Sequence, residues 1–164
     1  MKKTLILSPI IFLLVLIPAS AQIQNAGFSG QWKMDKEKTV LADNQLFLSR
    51  ITLQLKKDSL LTTRVYENYN GEEYPFVENL SLDGKDCSIY IYDMPRTSKA
   101  TRSGSDGSII IESKTTFYGN NGEEDMTAKE IWKVDKTGKM LAVDFTNKMS
   151  GYETTGTNYY NKIE

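Results

Sequence analysis

The chain has no histidine, one cysteine and four prolines in 164 residues, and each shortage removes a class of function. Without histidine there is no Ser-His-Asp or Cys-His catalytic unit, and no His-ligated zinc or haem. A single cysteine, Cys87, cannot form an internal disulfide, so stability has to come from packing and strand pairing. Cys87 opens the run Cys87-Ser88-Ile89-Tyr90-Ile91-Tyr92, where a small buried thiol is expected rather than a nucleophile. Basic clusters are missing as well, and the formal net charge is −1. A nucleic-acid partner therefore has no electrostatic support. No spaced oxygen-ligand loop appears, and Glu72-Glu73 and Glu123-Glu124-Asp125 read as solvated hairpin tips. Neither a metal nor a cofactor is expected.

Only one long apolar run exists, from Leu5 to Ile17. Lys2 and Lys3 precede it and Ala19-Ser20-Ala21 follows, the pattern of a secretory signal peptide over residues 1–21. The run is too short to span a bilayer as a helix. No cysteine follows it to carry a lipid. The expectation is a secreted or periplasmic protein with no membrane span after cleavage, folded as one domain over residues 22–164.

Beyond the leader the chain keeps a metre. Turn signals from Lys57-Asp58 through Asn70-Gly71, Asp83-Gly84, Asp93-Met94-Pro95, Asp106-Gly107, Asn121-Gly122 and Thr137-Gly138 to Ser150-Gly151 recur every 11 to 16 residues. Asn-Gly and Asp-Gly tolerate the left-handed backbone of tight hairpins. Runs rich in β-branched and aromatic residues lie between them. The spacing predicts strands at 29–34, 48–56, 59–68, 74–82, 86–92, 96–103, 108–118, 125–134, 139–147 and 152–161. Asp35 to Leu46, the longest connection, is expected to be a loop or helical turn serving as a lid over one barrel mouth. A meander must resolve its two open edges, and closing into a barrel removes them. The predicted fold is all-β: an antiparallel up-and-down meander β-barrel of about eight to ten strands with a short lid or helical turn after the first.

The opening strand, Phe28-Ser29-Gly30-Gln31-Trp32-Lys33, resembles that of the calycins: the Gly-x-Trp of lipocalins and the Phe-x-Gly-x-Trp-Lys of fatty-acid-binding proteins. The last strand, Thr157-Asn158-Tyr159-Tyr160-Asn161-Lys162, is similar to the closing strand of the fatty-acid-binding type. The resemblance implies a lipocalin-like container whose first and last strands pair, with Trp32 plugging one end. In that family an Arg and a Tyr two residues apart grip a ligand carboxylate. Here Tyr160 holds the Tyr position but Asn158 stands at the Arg position. An amide cannot form the bidentate charged pair that suits carboxylates, so a fatty acid held in the family's manner is not expected.

Nine tyrosines offer apolar area with a directed hydroxyl, which suits a moderately polar ligand as well as ordinary strand packing. The candidate ligand-binding residues are Tyr66, Tyr92, Arg102, Tyr118, Asn158 and Tyr160. Arg64 and Arg96 are further candidates for gripping an anion. Arg96, Ser98, Ala100 and Arg102 share one face of a polar strand, either solvated or lining a wet lumen. Tyr90 and Tyr92 face opposite to Cys87, Ile89 and Ile91, and only one set can point inward. Glu112 and Glu130 are the carboxylates that could act as an acid inside the barrel. The leading expectation is a secreted binding protein holding a small hydrophobic or amphipathic molecule. Behind it stand a protein- or glycan-docking module using the barrel exterior and, last, a cofactor-free barrel enzyme.

Overall fold

A computed structural model describes residues 27–39, 46–119 and 122–163. The expected leader over 1–21 and the centre of the expected lid, 40–45, lie outside the described residues. The described chain forms ten strands: β1 (Gly30–Met34), β2 (Phe47–Leu55), β3 (Ser59–Glu67), β4 (Glu73–Ser81), β5 (Cys87–Ile91), β6 (Met94–Arg102), β7 (Ile109–Gly119), β8 (Gly122–Val134), β9 (Met140–Met149) and β10 (Tyr152–Ile163). No helix occurs among the described residues, and after β1 the segment Asp35–Thr39 makes one turn closed by Thr39 N–H donating to the Asp35 carbonyl at 3.0 Å.

The strands form because apolar side chains recur with period two. On β2, Ile51 and Leu53 are buried while Arg50 and Gln54 face water. Hairpin chemistry then sets the register. Ser150 and Gly151, at φ 50° and 78°, make a two-residue turn whose twist matches the flanking strands. The β5–β6 turn uses the same left-handed pair without glycine, Tyr92 at φ 48° and Asp93 at φ 68°. It falls one residue before the expected Asp93-Met94-Pro95 turn. Met94 and Pro95 instead begin β6, near a strand start where a missing N–H is tolerated.

All ten strands lie in one antiparallel sheet of order β4-β3-β2-β1-β10-β9-β8-β7-β6-β5. The first and last strands pair, Trp32 opposite Lys162 and Met34 opposite Tyr160. The sheet curls into a nearly closed barrel whose ends, β4 and β5, lie against each other. Along this seam no backbone ladder joins β4 to β5 among the described residues. At the closed end the β4–β5 connector bridges to β6, Asp83 opposite Thr101 and Gly84 N–H donating to the Ala100 carbonyl at 2.9 Å, and farther along side chains close the seam. Glu78 on β4 accepts from Arg96 Nε at 2.8 Å and Ser98 Oγ at 2.7 Å on β6. Nearer the rim the Tyr92 hydroxyl donates to the Pro75 carbonyl at 3.0 Å, and its ring meets Tyr74 edge-on.

The two ends of the barrel differ. One is plugged by Phe28, Trp32, Leu53, Leu60, Leu80, Ile109, Trp132 and Leu141, all buried. The Trp32 indole donates to the Phe28 carbonyl at 2.9 Å. The Lys162 ammonium lies 5.0 Å from the Trp32 ring centre and donates to the Gly27 carbonyl at 3.0 Å. The indole thus holds three chain segments together. Trp32→Ala is expected to lower unfolding free energy by about 3–5 kcal/mol, read from urea denaturation. A loss under about 1 kcal/mol would show that the closed end does not depend on it.

Candidate functional site

At the opposite end the inward face changes character. Cross-strand register places Ser113, Ala128 and Asn147 side by side on β7, β8 and β9, with Phe145 one step deeper. These side chains point into the barrel yet are only half-buried, so solvent reaches the interior here. At the rim, Phe117, Tyr118, Glu123, Glu124, Met149 and Ser150 line a cleft of about 490 Å³ around the β7–β8 hairpin tip. Because turns alternate between ends, β1 ends and β2 begins toward this same mouth, at Met34 and Phe47.

Beneath this half-exposed inward face, the bowl of the barrel, lies a floor of four charged side chains from four strands. Arg64 projects from the middle of β3 and reaches across the barrel to β8, where Nη1 donates to both Glu130 oxygens at 2.8 and 2.9 Å. Its Nε stands 3.5 Å from Glu78 Oε2. Glu78 is shared with Arg96, whose Nη1 also donates to Thr115 Oγ1 at 3.1 Å. Trp132 Nε1 donates to Glu130 Oε2 at 2.9 Å, and the Arg64 guanidinium sits 4.9 Å from the Trp132 ring centre. Two arginines thus face two glutamates, and the floor is electrically neutral. Arg64 and Glu78 are wholly enclosed, whereas Arg96 and Glu130 keep 7% and 12% of their side-chain surface accessible.

The electrostatics follow from that enclosure. Burial works against the charge on Arg64, but Glu130 and Glu78 outweigh it and raise its pKa above the ordinary value. Burial likewise pushes the Glu78 carboxyl up, and Arg64, Arg96 and the hydrogen bonds from Arg96 and Ser98 more than offset it, holding the pKa below 4.5. Burial raises the Tyr66 phenol and raises that of Tyr160 strongly, so both stay protonated at neutral pH. Tyr160 Oη, Thr62 Oγ1 and Arg64 Nη2 are buried without a hydrogen-bond partner among the described residues. An unsatisfied buried polar atom costs about 1–3 kcal/mol. These atoms are the interior's unused hydrogen-bonding capacity.

Of the six residues singled out in the sequence, the structure brings three together. Tyr160 is buried in the electrostatic field of Tyr66, Glu130 and Arg64, with Asn158 beside it on the inward face of β10. Of the other three, Tyr118 lines the rim cleft beside Phe117, whereas Tyr92 and Arg102 lie apart. Tyr92 sits in the β5–β6 turn and Tyr118 on the outer face of β7 opposite Glu123, at 57% and 60% exposure. Arg102 ends β6 in register with Ile109 at the closed end. On β5 the inward set is Cys87, Ile89 and Ile91, in register with Ser98, Arg96 and Met94, which leaves Tyr90 outside. Glu130 faces inward, whereas Glu112 lies on the outer face, paired with Lys99 at 3.1 Å. Glu78 escaped the sequence reading altogether. Its signal was parity, since it alternates in step with Phe76, Leu80 and Leu82, so that a carboxylate occupies an apolar face.

Among the described residues no group of three or more His, Cys, Asp or Glu side chains could hold a metal ion. The fold and site define an all-β meander barrel, plugged with apolar side chains at one end and opening at the other above a charge-matched floor. Comparison of the chain with protein-family models, curated proteins and solved structures finds no match.

Because the folded pKa of Glu78 is depressed, its contribution to stability is present above pH 4.5 and is lost as pH falls through the folded value. Glu78→Gln is expected to cost about 3–5 kcal/mol at pH 7, leaving buried arginine charge uncompensated. The variant should also flatten the acid limb of stability measured by urea titration between pH 6 and pH 2.5. An acid limb identical to that of the native chain would remove Glu78 from the ion network.

Proposed function

We propose that this chain is a secreted, lipocalin-like binding protein whose open half-barrel holds a small hydrophobic or amphipathic molecule. The observation that carries the reading is the contrast between the two ends: packed apolar plug on one side, solvent-reachable inward face on the other. A barrel needing only stability would fill both halves. The bowl offers apolar wall from Phe145, Met126 and Phe117, and polar groups converge at its base. That is the composition of a small-molecule site. The Gly30-x-Trp32 opening, the β1–β10 pairing and the leader-like segment support the lipocalin-like part of the proposal.

The two other functional classes find less support. The outer face of β6–β10 carries alternating, mutually paired charges: Lys114 with Asp125 at 2.6 Å, Lys133 with Asp144 at 3.0 Å and Lys148 with Glu153 at 2.7 Å. Exposed aromatics such as Tyr69, Tyr90 and Tyr152 are dispersed over separate turns and strands, which is ordinary for a soluble surface. For acid–base catalysis the enclosed carboxylates are Glu130 and Glu78, each already engaged by a guanidinium and a further donor, and the remaining inward one on β8, Glu124, lies at the open rim.

The neutral, solvent-sensitive dye N-phenyl-1-naphthylamine tests the reading. Saturable emission enhancement is expected with the native chain. Ala128→Trp, which places an indole between Ser113 and Asn147 in the bowl, should abolish it while the far-UV circular dichroism stays that of a β-barrel. No enhancement with the native chain, or unchanged binding in the folded Ala128→Trp variant, would contradict the proposal.

A further inference from the structure

The charge balance of the floor assigns a class of ligand head group, an inference that rests on the binding proposal above. Its two least enclosed members are one cation and one anion, Arg96 and Glu130, and each is already paired with an opposite charge. A ligand carboxylate entering the bowl would meet no free positive charge. Arg64 Nη2 has no hydrogen-bond partner among the described residues, but Arg64 is wholly enclosed and its charge is already balanced by Glu130 and Glu78. Pulling either arginine from its glutamates would leave a buried carboxylate unpaired, which is strongly unfavourable. At the floor a ligand ammonium meets the mirror-image problem, and the one further carboxylate on the inward face of β8, Glu124, lies at the rim and not at the floor. An uncharged head disturbs neither pair.

The remaining groups say what such a head should carry. Asn158, half-buried on β10, and the half-buried Ser113 and Asn147 at the bowl wall each donate and accept hydrogen bonds. Deeper, Tyr160 Oη and Thr62 Oγ1 are buried hydroxyls with both capacities unused among the described residues. We infer that the bowl takes an amphiphile with an uncharged, hydroxyl-bearing head and discriminates against carboxylates and amines carrying the same chain. The arrangement inverts the usual logic of a buried arginine in a pocket. Arg64 and Arg96 shape and neutralise the floor rather than recruit an anion.

The test is displacement of bound N-phenyl-1-naphthylamine at pH 7.5 by three ligands of one chain length: dodecanol, dodecanoate and dodecylamine. Dodecanol is expected to displace the dye at a concentration lower by about tenfold or more than either charged ligand, since tenfold corresponds to only a modest free-energy difference. Two reciprocal variants sharpen the result. Glu130→Gln makes the floor net positive and should improve dodecanoate relative to dodecanol by about tenfold, while Arg96→Gln makes it net negative and should favour dodecylamine. Melting curves of both variants are recorded alongside, and the native series stands without them if either fails to fold. Dodecanoate displacing the dye best from the native chain would overturn the inference while leaving the binding proposal intact. Binding of neither dye nor any of the three ligands would remove the binding proposal itself.

Discussion

Four charged side chains enclosed in a small barrel must satisfy one another, and that requirement governs how this sheet closes. Arg64 spans the lumen to Glu130, tying β3 to β8, while Glu78 ties β4 to β6 across the seam. Removing Glu78 leaves two arginines, one of them wholly enclosed, sharing a single glutamate. The network therefore constrains strand position more sharply than apolar packing can, because apolar side chains tolerate sliding and repacking and short charge-assisted hydrogen bonds between enclosed groups do not. Net stability gained from such a network is small, since desolvation cancels most of the attraction.

The rest of the barrel is organised around that layer. On one side Trp32, Trp132 and their aliphatic neighbours exclude water and supply the core. On the other the inward face becomes half-exposed and mixed in polarity. The seam follows from the same layer. Where backbone pairing between β4 and β5 is missing, the Glu78–Arg96 pair and the Tyr92 contacts with Pro75 and Tyr74 take its place. Tyr92 holds a left-handed backbone that costs a bulky residue roughly 1–2 kcal/mol, and the position it gains is the one from which its hydroxyl reaches across the seam.

Much of the architecture was readable from the chain because hairpin chemistry is local. Asn-Gly, Asp-Gly and Ser-Gly pairs and period-two alternation located every strand to within three residues of its observed ends. The miss at Asp93-Met94-Pro95 arose because Tyr92 adopts a conformation usually left to glycine or asparagine. The site was only partly readable. Arg64, Arg96, Glu130 and Tyr160 could be named as residue types able to act inside a barrel, but partnership between β3 and β8 depends on barrel curvature, which no local pattern encodes. Glu78 is the instructive case. Alternation with Leu80 marks it as inward, yet a lone inward carboxylate is credible only once Arg96 is known to lie opposite.

The central claim is that the charged floor serves recognition and strand placement rather than stability. Replacing all four members together, as Arg64→Met, Glu78→Leu, Arg96→Met and Glu130→Leu, tests it most directly through urea denaturation and dodecanol binding on one protein. The expected result is a folded barrel at least as stable as the native chain, since apolar replacement of complete buried ion networks is often neutral or stabilising by about 1–4 kcal/mol, together with loss of the preference for dodecanol over dodecanoate and dodecylamine. A quadruple variant that is several kcal/mol less stable, or one that keeps the native head-group preference, would contradict it.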